Sequence, residues 1–424
     1  MTMNRTNANP GIPLSAVLST NTDRLDSWKE IAVYLQREVR TVQLWEKEEG
    51  LPVHRHFHKR LGSIFAFRSE IDAWKRRVSR DAGSRADAPT TPVPTTSHHV
   101  RSAAREAYLR GRYFWNQRSE RGLRKAIGCF ESAMQEDPQF ALPHSGLADS
   151  LTLLSFYEIA SPSEVMPAAR RAAQKAIDLD PNSAEAHASL ADVLLHFDRD
   201  WQGADREYRR SIQCNPDYAL GYHWYANLLA ARGQHQAAHK AIMQALEINP
   251  VSIITLVWAG VTSHLAHQFD EAIRHYQSAL ELDPQFVWAH MYMAQALEQK
   301  GDFKMALQEF ETSSRLAEGN HSVKAMKAHA LAVSGDTASA REILHELESI
   351  ASGPCIPSYD IAATYAALGE SHQMLAWLNR ACRERNMKLF TLTQDPRFDA
   401  LHHSSGFREV VHRVGLPLSG PTWG

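Results

Sequence analysis

The sequence has little cysteine, and the few cysteines lie far apart. Cys129, Cys214, Cys355 and Cys382 form no CxxC pair and no Cys/His spacing typical of a zinc site. We therefore expect neither a disulfide framework nor a metal site, and the compartment is predicted to be reducing. No cofactor is expected either.

Long hydrophobic runs are also missing. Nowhere do 18 consecutive apolar residues occur, and the first 20 residues hold no continuous apolar core of signal-peptide length. We therefore expect a cytoplasmic protein that does not enter a membrane. The sequence contains no GxSxG, P-loop or HExxH motif. This absence predicts a protein that is not an enzyme.

The chain divides into five stretches of different composition. A polar tail covers residues 1–22, a compact segment 23–80, a Pro/Thr-rich linker 81–100, an Ala/Leu-rich region 101–390 and a capping segment 391–424. The linker can bury little apolar surface and is predicted to be a partly extended tether. A chain of 424 residues is too long for one compact core, which favours several domains or a repeat array.

The long region contains a repeat. Prolines that follow amphipathic runs recur with spacings of 43, 35, 34 and 34 residues, at Pro138, Pro181, Pro216, Pro250 and Pro284. In runs such as AAHKAIMQALEINP the apolar residues recur at i, i+3, i+4 and i+7. This spacing predicts a helix that the proline ends.

The period and the positions of small and aromatic residues resemble the tetratricopeptide repeat. The matching residues in two of the units are Ala226, Gly233, Ala238, Ala245, Gly260, Ala272, Tyr276 and Ala279. The resemblance implies about eight helical hairpins that stack into an α-solenoid, because one hairpin cannot bury its apolar face alone. The fold class is therefore expected to be mainly α.

The compact segment 23–80 has the pattern of helix, turn, helix, hairpin, helix. Ser27 and Glu30 form a capping box at the start of a short amphipathic helix, and a second helix follows a three-residue turn and ends at Gly50. Two alternating runs around a basic turn at residues 59–63 predict a β-hairpin. A third short helix is expected after the hairpin.

This order resembles the winged helix-turn-helix of the MerR and excisionase group, and the matching segment is SWKEIAVYLQREVRTVQLWEKEEGLP. The resemblance implies that the second helix enters the major groove of double-stranded DNA and that the hairpin lies against the backbone. The residues predicted to read base edges are Arg40, Thr41, Gln43 and Leu44. The residues predicted to contact phosphates are Arg37, Lys47, Arg55, Lys59 and Arg60.

Two features of this head have a plainer alternative. The outward basic residues of the second helix are also consistent with a solvated face, because the neighbouring Glu46, Glu48 and Glu49 repel phosphate. Histidines alternate along one predicted strand, at His54, His56 and His58. No fourth ligand is close in sequence, which favours a polar wing over a metal site.

In a tetratricopeptide array, the first helix of each pair lines a concave surface that can hold a peptide. The residues predicted to face this groove are His223, Asn227, Trp288, Met291 and Gln295. Aromatic residues at helical spacing also serve as core, so packing is the alternative at each position.

Together the two resemblances favour a DNA-binding transcriptional regulator whose repeats bind a protein or peptide partner, or a second copy of the chain. Residues 23–80 carry 13 Lys+Arg against 9 Asp+Glu, a net charge of +4, and the remainder carries -6. A basic head on a more acidic body suits this function. The alternative is an interaction scaffold whose helix-turn-helix-like head does not bind DNA.

Overall fold

The structure is a computed structural model. It describes residues 24–25, 27–35, 39–48, 51–56, 63–75, 100–317, 320–350 and 355–416. Contacts within the chain divide it into two units, Met1–Thr96 and Ser97–Gly424. The predicted tail, nearly all of the predicted linker and residues 417–424 lie outside the described residues. The domain limits expected from the sequence therefore stay predictions.

The first unit contains short helices and a small antiparallel sheet. Its elements are β1 Arg24–Leu25, α1 Trp28–Leu35, α2 Val39–Glu48, β2 His54–His56, β3 Ser63–Phe67 and α3 at residues 68–75. The strand order is β1-β3-β2, and the core includes Ile31, Val42 and Ile71. The expected order of helices and strands is present, whereas the assignment to the winged helix-turn-helix group stays a prediction.

Within residues 100–416, the described part of the second unit contains eight helical hairpins, and the protein is mainly α as predicted. We call the first helix of each hairpin helix A and the second helix B. The helices are α4 Ser102–Asn116, α5 Glu120–Glu136, α6 Ala141–Phe156, α7 Pro162–Leu179, α8 Ala184–Val193, α9 Trp201–Cys214, α10 Ala219–Ala231, α11 His235–Ile248, α12 Ile253–Leu265, α13 Phe269–Leu282, α14 Val287–Gln299, α15 Phe303–Leu316, α16 His321–Val333, α17 Thr337–Ser349, α18 Ser358–Ala367 and α19 Ser371–Arg383.

Shorter elements complete this unit. A π-helical turn, Leu194–Asp198, continues α8. After α19 come two 3-10 helices, Met387–Thr391 and Pro396–Leu401, and then α20, Ser405–Val414. The sequence predicted only a capping segment in this region, so the two 3-10 helices are an addition to the prediction.

Five helices B end with the same sequence pattern. α5, α7, α9, α11 and α13 each end two residues before one of the repeating prolines, with an Asp or Asn in between. Four of these side chains accept a hydrogen bond from the backbone N–H two residues later: Asp137, Asp180, Asn215 and Asp283. The helix stops there because proline cannot continue it and the Asp or Asn side chain stabilises the turn.

Small residues allow close packing within and between hairpins. Gly111 lies against the ring of Phe130, and Gly260 lies against the ring of Tyr276, so that a Cβ at either glycine would overlap the ring. From α6 to α16, each helix A also packs against the preceding helix B. The hairpins therefore stack into a continuous solenoid, and one shared core extends between α4 and α15.

Candidate functional site

Three residues predicted to line an open groove are covered by the chain itself. His223 and Asn227 on α10 have 0% and 3% of their surface exposed, and Gln295 on α14 has 7%. His223 Nδ1 lies 3.3 Å from Thr255 Oγ1 on α12, and burial lowers the pKa of His223. The expectation of an open groove at these positions is therefore corrected, because in the described residues they belong to the interior.

The other two predicted groove residues have different surroundings. Trp288 Nε1 donates a hydrogen bond to the carbonyl oxygen of Arg118 at 3.2 Å, and its ring stacks on Tyr157 with centroids 4.1 Å apart. Met291 packs with Phe310 in the core between α14 and the helices that follow. Met291 thus lies in the packed core, which agrees with the packing alternative that the sequence left open at this position.

Two segments of the chain cover the inner face of the solenoid, which is formed by helices A. One is the loop 157–161 between α6 and α7. The other, here called the inner segment, is residues 385–401 after α19. Phe390 packs against His196 with ring centroids 4.6 Å apart, and Met387 packs against α7 and the end of α8. A stretch of polypeptide without α-helix therefore occupies the inner face.

Ion pairs anchor the inner segment. Lys388 Nζ lies 2.5 Å from Asp360 Oδ2 and 3.3 Å from Glu158 Oε2. Arg397 Nη1 lies 3.0 Å from the other oxygen of Asp360, and Nη2 lies 2.7 Å from Asp395 Oδ2. The side chain of Asp360 is 0% exposed. One buried carboxylate on α18 thus joins two cations of the inner segment, Lys388 and Arg397, and a buried pair of this kind depends on each partner being present.

Burial and pairing act against each other in this network. Burial raises the pKa of Glu158, although Lys388 opposes the shift. Burial acts to lower the pKa of Lys388, but Asp360 and Glu158 outweigh it and the pKa is raised. Burial acts to raise the pKa of Asp395, but Arg397 outweighs it and the pKa is lowered. The charged forms of Lys388 and Asp395 are therefore stabilised by their partners.

A second polar cluster lies between the first and third hairpins. Arg118 is 3% exposed, its guanidinium carbon lies 3.6 Å from the ring centroid of Trp115, and burial lowers its pKa to about 10. Burial raises the pKa of Asp192 to about 8, and the Tyr208 hydroxyl donates a hydrogen bond to this carboxyl group. Asp192 is therefore mostly protonated at neutral pH and does not neutralise Arg118.

A cavity of about 60 Å³ remains between the inner segment and the helices A. It is lined by the rings of Trp258, Tyr292 and Phe390 and by the side chains of Lys388 and Arg397, among others. This volume holds a few water molecules and not a peptide. The inner face can bind a further segment only if the inner segment leaves it.

The residues predicted to contact DNA are only partly described. Thr41 and Gln43 lie on α2 and are half-buried. Arg40, Leu44 and Lys47 lie on the same helix, and Arg55 lies in β2, with only their backbone described. Arg37, Lys59 and Arg60 lie outside the described residues. The role of this set in DNA contact stays a prediction.

His54 makes a contact that its alternation with His56 and His58 did not indicate. Its Nε2 lies 2.6 Å from Glu70 Oε2 on α3, and its ring stacks on Phe65 with centroids 5.1 Å apart. Among the described residues, no group of three or more His, Cys, Asp or Glu is placed to hold a metal ion. In the same part of the chain, no helix is both long and apolar enough to span a membrane.

Comparisons with known proteins identify the repeat. Two family models described as tetratricopeptide repeat match residues 264–330 and 207–240. Superkiller protein 3 of Schizosaccharomyces pombe is 25% identical over 280 residues, which is 65% of this chain and 17% of that protein. The type IV pilus assembly protein PilF of Pseudomonas aeruginosa is 24% identical over 140 residues, 32% of this chain and 55% of that protein. The chain thus matches about a sixth of one relative and about half of the other.

The fold also occurs in solved structures. The human IFIT1 dimer with PPP-AAAA superposes with a TM-score of 0.52 and 15% identity, over 82% of this chain and 78% of that one. An identity this low shows a shared fold alone. The second unit of the chain is therefore a helical solenoid that contains tetratricopeptide repeats.

Proposed function

We propose that this chain is a protein-interaction scaffold whose repeats bind a partner protein or peptide, or a second copy of the chain. The inner segment is the observation that carries the proposal. The inner face already binds this stretch of its own chain through packed rings and through two cations, Lys388 and Arg397. A partner peptide bound in the same place needs the same kinds of contact. The proposal includes a cytoplasmic location and no enzymatic activity.

The chemistry of the anchor specifies what such a partner carries. Asp360 and Glu158 face Lys388, and Phe390, two residues further on, packs against His196. A partner that replaces the inner segment therefore carries a basic residue followed two positions later by an aromatic one. An acidic peptide would leave Asp360 buried without a cation, which is strongly unfavourable.

The test uses the full chain with Lys388→Glu, which places a carboxylate beside Asp360 and Glu158 and loosens the inner segment by repulsion. A fluorescein-labelled peptide of residues 385–401 should bind this variant in fluorescence anisotropy. It should bind the unaltered chain at least about tenfold more weakly, because the inner face is occupied there.

The matched control is the same peptide carrying Lys388→Glu, which should not bind either chain. Circular dichroism establishes that the variant chain keeps its helical content. If a folded variant chain does not bind the unaltered peptide, the inner face is not a peptide-binding surface and the proposal loses its main support.

A second candidate function is DNA-binding regulation by the first unit. It is favoured by the order of the described elements, two helices followed by a β-hairpin and a third helix around one small core. In this proposal α2 enters the major groove, and the repeats bring a partner to the bound DNA.

Salt dependence tests the second candidate. The full chain is titrated against DNA from the gene's own upstream region at increasing salt, with Arg40→Ala and Lys59→Ala alongside. Binding through phosphates weakens steeply as salt rises, and at least one of the two substitutions should weaken it further. A chain that does not bind at low salt leaves the scaffold as the function.

A further inference from the structure

The two ends of the solenoid differ in the surface that they expose to solvent. At the C-terminal end, α20 buries Phe407, Val410 and Val414 and presents polar residues such as Arg408 and Glu409 outward. A polar outer surface of this kind is what closes a repeat array in water. At the N-terminal end, α4 exposes 65% of Tyr113. The N-terminal end therefore leaves an aromatic side chain exposed.

A groove runs along this end between α4 and α5. It has a volume of about 380 Å³ and is lined by Ala107, Arg110, Phe114, Lys125, Gly128, Cys129 and Ser132. A Cβ added to Gly128 would meet no atom within 4 Å, so the groove is open there. Lys125 Nζ lies 5.1 Å from the centroid of the half-buried Phe114 ring. The groove thus has a small and aromatic floor with cations beside it.

The repeat shows what kind of element belongs in this groove. Each helix A from α6 to α16 packs against the helix B that precedes it. Among residues 100–416 as described, no helix B precedes α4. A helix lying along α4 as α9 lies along α10 would continue the stack at this groove.

Arg110 shows how a helix docked in this groove would differ from the helices B of this chain. It comes directly before Gly111, the small residue that packs on Phe130. The residues in the same position of later repeats, Tyr225 and Met293, are 9% and 7% exposed, whereas Arg110 is exposed. On α9, Arg209 lies over the Tyr225 ring at 5.4 Å, and Asp205, paired with Arg209, accepts a hydrogen bond from the Tyr225 hydroxyl at 3.1 Å. A helix that packs against Arg110 should therefore replace the cation at the Arg209 position by an acidic residue.

The two cations of this face have no carboxylate partner in the described part of the chain. Neither Arg110 nor Lys125 forms an ion pair there, and Glu106, one turn before Arg110, does not reach it. The hairpin is also basic overall, because residues 101–136 carry 8 Lys+Arg against 4 Asp+Glu. A complementary surface is therefore acidic.

Resting on the scaffold function, we propose that the α4/α5 groove docks an amphipathic helix of a partner protein that presents a carboxylate to Arg110 and Lys125. A second copy using the same face is excluded, because it would oppose these cations to themselves. The sequence of residues 76–99, with 4 Lys+Arg against 2 Asp+Glu and three prolines, lacks the acidic helical character that these cations call for. The partner helix adds one more helix B to the stack.

The test uses two helix-stapled, fluorescent peptides of residues 201–213, which are the α9 sequence. One has the natural sequence with Arg209, and the other carries Arg209→Glu, so the two differ in a single residue. The full chain should bind the Arg209→Glu peptide about tenfold more tightly than the natural one, because repulsion at Arg110 becomes attraction.

The decisive arm is a charge swap in the full chain. Arg110→Glu should reverse the preference between the two peptides, whereas Arg274→Glu, a change of the same charge on exposed α13, should not alter it. Equal binding of both peptides, no binding of either, or an unreversed preference would each overturn the docking proposal and assign this end a capping role.

The outcome is separable from that of the scaffold proposal. The peptide of residues 385–401 reports on the inner face, and the two α9 peptides report on the N-terminal groove. If the inner face binds its peptide while Arg110→Glu changes nothing, the scaffold function stands and the docking proposal alone fails.

Discussion

The inner face and the N-terminal groove of the same solenoid differ in whether their cations are paired with carboxylates. On the inner face, Lys388 and Arg397 share the carboxylate of Asp360, and the space around them is filled. In the N-terminal groove, Arg110 and Lys125 line an open volume of about 380 Å³ and pair with no carboxylate of the described chain. The cations of the inner face are neutralised within the chain, so this face needs no further ligand. The cations of the N-terminal groove are not, which favours binding of an acidic partner there.

The largest expected effect concerns the shared carboxylate. Asp360→Ala removes the partner of two buried cations, so the free energy of unfolding should fall by about 3–5 kcal/mol. Urea unfolding followed by circular dichroism measures the change. Stability should be lost because Lys388 and Arg397 then remain buried without the carboxylate of Asp360.

The control is Arg110→Ala at the open end. Because Arg110 is exposed and unpaired in the described part, this substitution should change the free energy of unfolding by no more than about 0.5 kcal/mol. If Asp360→Ala and Arg110→Ala change the free energy of unfolding equally, the cations of the inner face are no better neutralised than those of the open groove. The contrast between the two surfaces would then be wrong.

A pair of glycines tests the same comparison through packing. Gly260→Ala places a Cβ against the buried ring of Tyr276, and overpacking of this kind costs about 1–3 kcal/mol. Gly128→Ala adds a Cβ in open space and should raise the free energy of unfolding by about 0.5–1 kcal/mol, the preference of a helix for alanine. Thermal unfolding of the two variants should shift in opposite directions, and a destabilising Gly128→Ala would mean that the groove is filled.

What the sequence could predict is local. Proline spacing predicted where the helices B end, because a proline stops a helix within a few residues of itself. Small and aromatic residues at fixed offsets, among them Gly260 and Tyr276, predicted the repeat, and these two residues lie in one hairpin. These are interactions over fewer than about 20 residues, within one supersecondary unit.

The inner segment could not be predicted in the same way. Lys388 meets Glu158, 230 residues earlier in the chain, and no periodicity relates the two positions. One signal was present: the run MKLFTL follows the last hairpin without a helical period, and its apolar residues have to be buried somewhere. Met291 shows the remaining difficulty, because helical spacing does not separate the groove face from the face that packs on the next hairpin.

A further expected effect comes from two histidines that pair in the same way in two repeats. His187 Nδ1 lies 2.6 Å from Glu207 Oε2, and its Nε2 lies 3.0 Å from the carbonyl oxygen of Pro181. His290 makes the same two contacts with Glu309 and Pro284. Because both ring nitrogens face acceptors, the imidazolium form fits best, and the glutamate in each pair raises the pKa of the histidine.

A raised pKa in the folded state fixes the sign of the pH dependence. The stabilisation from each pair is fully present below the ordinary histidine pKa of 6.5 and is lost as the pH rises through the folded-state pKa. The buried neutral His196 and His264, whose pKa values burial lowers to about 4, affect only the acidic side. Asp192, with a pKa raised to about 8, adds a loss of the same sign, so the histidine contribution has to be read as a difference between chains.

The double variant His187→Gln/His290→Gln tests this pH dependence. Its free energy of unfolding should be lower than that of the unaltered chain by about 1 kcal/mol at about pH 6 and by much less at about pH 8.5. Equal losses at both pH values would mean that the two histidines stabilise the hairpins as neutral side chains.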